Sequence, residues 1–116
     1  MSVYKIFHNP RCSKSRQTLQ LLKENNCKIE IISYLEIDLK VSLIKELLKQ
    51  LTLKPRDILR KGEQEYKDNN LKKDNLSEED LINYMIKYPK LIERPIVVKG
   101  DKAVIGRPPE KVLELI

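Results

Sequence analysis

Residues 3–32 read VYKIFHNPRCSKSRQTLQLLKENNCKIEII. The stretch opens on Val3-Tyr4-Lys5-Ile6-Phe7, rich in β-branched and aromatic residues, which predicts a strand. Asn9-Pro10 then signals a turn and a helix start. From Ser13 to Glu24, Leu19, Leu21 and Leu22 sit among polar residues, as on an amphipathic helix. Asn25-Asn26 closes that helix, and Ile29 to Ile32 predicts a second strand. Strand, short loop, helix, strand is a βαβ unit.

Working outward, Lys40 to Leu51 places Val41, Ile44, Leu47, Leu48 and Leu51 on one helical face. Pro55 is suited to open a further short helix through Ile58 and Leu59. Lys61 to Asn75 is polar and reads as short helix mixed with loop. Ser77 and Asp80 have capping-box spacing, and Leu76 and Leu81 that of a hydrophobic staple. Leu81, Ile82, Met85 and Ile86 follow as a buried face that ends before Pro89. Ile96-Val97-Val98 and Ala103-Val104-Ile105 are strands joined across Gly100-Asp101, a hairpin. Pro108-Pro109 opens a last helix burying Val112 and Leu115 or Ile116. The order is βαβ, a helical middle, then ββα. The expected fold class is therefore α/β, a thioredoxin-like arrangement with a helical insertion, about 38–90, inside a single domain over 1–116.

Composition narrows the function classes. No apolar run approaches the ~20 residues of a membrane span, and no secretory signal is visible, so a soluble, cytoplasmic protein is expected. The net charge is +6. Its lysines are interleaved with acids, as in Lys45-Glu46 and Glu110-Lys111, and no stacking-aromatic recognition motif accompanies them, so no nucleic-acid partner is expected. A mild attraction for small anions remains. With two cysteines and one histidine, no metal site is expected.

The chemistry concentrates in His8-Asn9-Pro10-Arg11-Cys12-Ser13-Lys14-Ser15-Arg16. Cys12 lies between a strand end and a helix start, where unpaired N–H groups and the helix dipole favour a thiolate. Arg11, Lys14 and Arg16 add positive charge. The same N–H groups can cradle an oxyanion. Ser15 stands where a C-x-x-C motif has its second cysteine, so Cys12 needs an outside thiol to complete a redox cycle. Cys27 lies beyond a helix of ~20 Å and is read as a packing residue. His8, at the strand end, is placed to influence the thiolate.

His-Asn-Pro-x-Cys-x-x-Ser-Arg resembles the start of the glutathione- and glutaredoxin-coupled arsenate reductases, the ArsC type. Ser33-Tyr34-Leu35-Glu36, Leu59-Arg60-Lys61, Leu91-Ile92-Glu93-Arg94-Pro95-Ile96-Val97-Val98 and Gly106-Arg107-Pro108 extend the resemblance along the chain. The resemblance implies that Cys12 attacks arsenate and that His8 tunes its thiolate. It implies that Arg60, Arg94 and Arg107 bind the oxyanion, and that Pro95 is the cis proline beside the cysteine. It implies arsenate, glutathione and glutaredoxin as partners, with glutathione a co-substrate and no bound cofactor. Guanidinium groups suit a tetrahedral oxyanion independently of any family. Arg94 and Arg107 each precede a proline, which confines their backbone to extended forms. Two other readings stand beside this one: an Spx-like redox regulator of RNA polymerase, whose second switch cysteine is here Ser15, and a glutathione-dependent thiol reductase with another substrate.

Overall fold

The computed structural model describes residues 3–116. The chain divides into two compact units, the first running to Ile37 and resuming at Arg94–Ile116, the second Asp38–Glu93. The first unit is built on a four-stranded mixed sheet of β1 (Val3–Phe7), β2 (Lys28–Ile32), β3 (Ile96–Lys99) and β4 (Lys102–Ile105), in the order β2-β1-β3-β4. β1 is parallel to β2 and antiparallel to β3, and β3 and β4 form the antiparallel hairpin. Gly100 turns that hairpin at φ 62°, a left-handed conformation that suits glycine. Together with helix α1 (Ser13–Glu24) between β1 and β2, this is the thioredoxin-like arrangement expected.

Alternation along β1 puts Tyr4 and Ile6 on one face, where they meet Leu22, Val97, Val112 and Leu115 in a buried cluster. Leu19, Leu21, Cys27 and Ile29 pack around it, so Cys27 is a packing cysteine. The fully inward stripe of α1 is Ser15, Thr18 and Leu22 rather than its leucines alone. Its two polar members lie at the N-terminal end, next to the loop that carries Cys12. The last helix is a 3₁₀ segment, Pro109–Leu115. It starts at Pro109, and i→i+3 bonds such as Lys111 N–H to Pro108 O, 3.0 Å, tighten its turns. Val112 and Leu115 are buried, and Ile116 is exposed.

The second unit holds α2 (Val41–Leu51), α3 (Gln64–Asp68) and α4 (Glu78–Lys87), with short 3₁₀ turns at Pro55–Ile58 and Pro89–Leu91. Ile44, Leu47, Leu48 and Leu51 of α2 are buried, as are Leu81, Ile82 and Met85 of α4. The capping box at α4 is present: Asp80 N–H donates to Ser77 Oγ at 3.0 Å and Ser77 N–H to Asp80 Oδ2 at 2.9 Å. A lone antiparallel bridge pairs Leu59 with Ile92, flanked by Arg60 N–H to Leu91 O and Glu93 N–H to Ile58 O, both 2.8 Å. Among the described residues, no helix is long and apolar enough to cross a membrane.

Candidate active site

β1 delivers the chain to a short, tightly bonded loop. His8 N–H donates to Ile32 O at 2.9 Å, continuing the β1–β2 ladder one residue past the strand. Asn9 then folds the chain back. Its carbonyl accepts Cys12 N–H at 3.0 Å, and its side-chain oxygen accepts Arg11 N–H at 3.0 Å, an Asx turn. The Arg16 guanidinium donates to Pro10 O at 2.9 Å and closes the loop from the helix side. Cys12 therefore becomes the N-cap of α1, in extended conformation at φ −92°, ψ 121°.

A serine or aspartate at an N-cap bonds the first-turn N–H groups with its own side chain. Here those groups face sulfur. Burial by itself pushes the Cys12 thiol up, but the backbone N–H of Ser15, the Arg94 side chain, the backbone N–H of Lys14 and the Arg107 charge outweigh it. The net result holds the thiol below its ordinary value. Arg107 Nη2 lies 3.5 Å from Cys12 Sγ. No acidic residue in the first turn of α1 opposes them. The sulfur is only half-buried, so it is reachable.

The two arginines come from loops stitched together. Gly106 N–H donates to Pro95 O at 2.9 Å, and Arg107 Nε donates to Arg94 O at 2.8 Å. The Arg94–Pro95 and Arg107–Pro108 peptide bonds are both cis. Pro95 is fully buried.

His8 is brought to Ser15 rather than to sulfur. Its Nδ1 and Ser15 Oγ are 2.6 Å apart, and Ser15 Oγ also accepts Asn9 N–H at 3.1 Å. Burial, then the charges of Arg16 and Lys23, hold the imidazole below its ordinary pKa, so it is neutral at neutral pH. His8 thus supports the residue whose N–H faces the thiolate. Arg60 belongs to the second unit, where its guanidinium lies between Glu63, 3.3 Å from Nε, and Glu93, 3.6 Å from Nη1. The first unit therefore gathers Cys12, His8, Arg94, Pro95 and Arg107, and it adds Asn9 and Ser15. The sequence signal for Ser15 was its place three residues after the cysteine. For Asn9 it was the turn dipeptide alone. Among the described residues, no group of three or more His, Cys, Asp or Glu side chains is placed to hold a metal.

A thiolate beside two guanidinium groups and helix N–H donors can bind a tetrahedral oxyanion and attack its central atom. The like charges of nucleophile and substrate repel, and fixed cations lower that barrier.

Comparison with known proteins agrees with this chemistry. The sequence pattern of the ArsC family matches residues 7–115. YfgD of Escherichia coli (strain K12), an uncharacterized protein, is 53% identical over 97% of this chain and 95% of its own. An arsenate reductase of Haemophilus influenzae is 43% identical over 96% of this chain and 97% of its own. The solved structure of an arsenate reductase from Vibrio cholerae superposes with a TM-score of 0.96 at 46% identity, covering 99% of this chain and 98% of that one. On the extent of these matches, with the cysteine loop and both arginine-proline loops in place, the chain belongs to the ArsC family.

Proposed function

We propose that the protein is an arsenate reductase, with Cys12 as the nucleophile and Arg94 and Arg107 as the groups that hold the oxyanion. The observation that carries this reading is the convergence of both guanidinium groups and the Lys14 and Ser15 N–H groups on one accessible sulfur. Relatives of high similarity that bear the name arsenate reductase support the substrate.

The cycle begins when the Cys12 thiolate attacks arsenic(V). An S–As bond forms, and an arsenate oxygen leaves as water after protonation. A glutathione thiolate then attacks the Cys12 sulfur of the adduct. The S–As electron pair stays on arsenic, which falls to the +3 state, and a mixed disulfide is left on Cys12. Glutaredoxin takes up the glutathionyl group and returns Cys12 as thiolate. In sum, arsenate and two thiols give arsenite, a disulfide and water. Ser15 in place of a second cysteine supports the need for an outside thiol, because no partner thiol follows Cys12 in its own helix. Arg60 is the third oxyanion group in this reading. The reaction is assigned to the cytoplasm, where glutathione keeps thiols reduced.

Arsenate turnover with glutathione, glutaredoxin and NADPH-coupled recycling tests the proposal. NADPH consumption that depends on arsenate and on both thiol components is expected. A wild-type protein that turns over arsenate with neither glutaredoxin nor dithiothreitol overturns the reading, and turnover with dithiothreitol but not glutaredoxin overturns only the coupling.

A further inference from the structure

Gly106 sits beside Arg107 and is buried. A Cβ at this position would lie inside contact distance of Thr18 Oγ1, 2.9 Å from Pro95 Cγ and 3.1 Å from Thr18 Cγ2. The Gly106 backbone therefore approaches the Thr18 side chain and the Pro95 ring more closely than a side chain at 106 permits.

Thr18 is the other half of this contact. It is fully buried, and its hydroxyl donates to Lys14 O at 2.8 Å. Lys14 belongs to the first turn of α1, whose N–H groups face Cys12. One side chain thus touches both halves of the site. Through Lys14 it meets the turn that presents N–H donors to the sulfur, and through Gly106 it meets the loop that presents Arg107. Pro95 closes the other side, held by Gly106 N–H on Pro95 O. A buried threonine in an amphipathic helix can be a mere filler. Its apposition to a residue that must lack a side chain, one position from the arginine on the sulfur, is not what a filler requires.

We infer that Thr18 and Gly106 form a spacer that sets the distance from Arg107 to Cys12, and that both are positioning residues for the thiolate. The inference rests on Cys12 being the reactive group of the proposed reductase, and it is independent of what the thiolate attacks. Widening the contact moves Arg107 away from sulfur, and its 3.5 Å approach is lost. Close packing transmits such a shift rather than absorbing it.

The test measures iodoacetamide alkylation of Cys12 against pH, in a Cys27→Ser background so that one thiol reports. Gly106→Ala should move the alkylation midpoint upward and slow the reaction at neutral pH by about tenfold, in proportion to the lost thiolate. Thr18→Ala opens space instead of filling it and should slow it about two- to threefold. The double variant Thr18→Ala/Gly106→Ala removes both Thr18 atoms that the new Cβ meets and leaves only its 2.9 Å approach to Pro95 Cγ, so it should recover part of the reactivity. Far-UV circular dichroism and thermal melts establish that each variant is folded. If Gly106→Ala does not fold, the double variant and Thr18→Ala carry the test. Wild-type reactivity in both single variants overturns the inference. So does a loss in Gly106→Ala that the double variant does not lessen. Alkylation that follows these expectations in a protein without arsenate turnover supports the spacer and removes the reductase reading alone.

Discussion

Helices α1 and α4 run for 12 and 10 residues and begin in opposite ways. At α4, Ser77 and Asp80 exchange bonds in a capping box, and Glu78, Glu79 and Asp80 fill the first turn with negative charge. The helix satisfies its own N-terminus. At α1, Cys12 makes no side-chain cap bond of the usual oxygen type, and no acid occupies the first turn. The donors are kept for a sulfur, and arginines from two loops are added to them. The first arrangement serves the fold and the second lowers the pKa of a half-exposed thiol. The same backbone feature, four unpaired N–H groups, is spent on stability in one unit and on reactivity in the other.

Making α1 resemble α4 has the largest expected effect. Cys12→Asp supplies a good N-cap oxygen, so the variant should melt higher by about 1 kcal/mol at a pH where the wild-type thiol is protonated. Its arsenate turnover should fall to background, since no thiol remains to form the S–As bond. A stabilised variant that still turns over would break the comparison, and calorimetry beside the coupled assay decides it.

Next in size is the charge on the sulfur. Arg107→Ala should lower kcat/KM for arsenate about a hundredfold, the range for losing one fixed group that stabilises transition-state charge. Arg107→Lys keeps the charge and loses the Nε bond to Arg94 O, so it should fall between the two. Steady-state kinetics against arsenate concentration reads both.

The pH dependence is smaller and has a definite sign. The folded Cys12 thiol titrates below its unfolded value. The stability this confers is fully present above the unfolded value of ~8.5 and is lost as pH falls through the folded one. Urea melts from pH 9 to pH 6 should therefore show wild type losing more stability than Cys12→Ser. His8 acts on the acid side. Its folded pKa is lowered, so folding is penalised only as pH drops below the unfolded value of ~6.5, and equally in both proteins.

Two substitutions should separate fold from reactivity at the small end. Ser77→Ala should cost about 1 kcal/mol of stability, the usual price of an N-cap, and leave Cys12 alkylation unchanged. Cys27→Ser should leave arsenate turnover unchanged, because Cys27 packs against the core cluster and serves no step. A loss of turnover there would make Cys27 the resolving thiol and contradict the outside-thiol cycle.

Much of this contrast is legible in the sequence. The α2 stripe, the Ser77–Asp80 box and the β3–β4 hairpin are local patterns, and local spacing determines them. The loop from His8 to Arg16 was legible as a site because strand end, turn dipeptide and cysteine are contiguous. What depended on distant segments was not. The His8–Ser15 bond needs the loop to fold back on the helix, and nothing in the spacing sets its geometry. The Gly106–Thr18 apposition joins residues 88 apart in sequence. Glu63, three residues after Arg60, could be read as an ion-pair partner from sequence, whereas Glu93 could not, because the Leu59–Ile92 bridge brings it there. Proline spacing marks where the last helix opens and not its hydrogen-bond period, which is 3₁₀.

The bond from Arg107 Nε to Arg94 O has a consequence for the order of events at sulfur. It moors the guanidinium to backbone, so the outer nitrogen keeps its place whether or not the sulfur is charged. In the proposed cycle the sulfur enters a covalent bond and the negative charge lies on the oxygens of the adduct, so the cation need not travel to follow it. Little reorganisation is required between one stage and the next. A mooring of this kind would let one guanidinium serve, in the proposed cycle, first the nucleophile and then the substrate it has attacked.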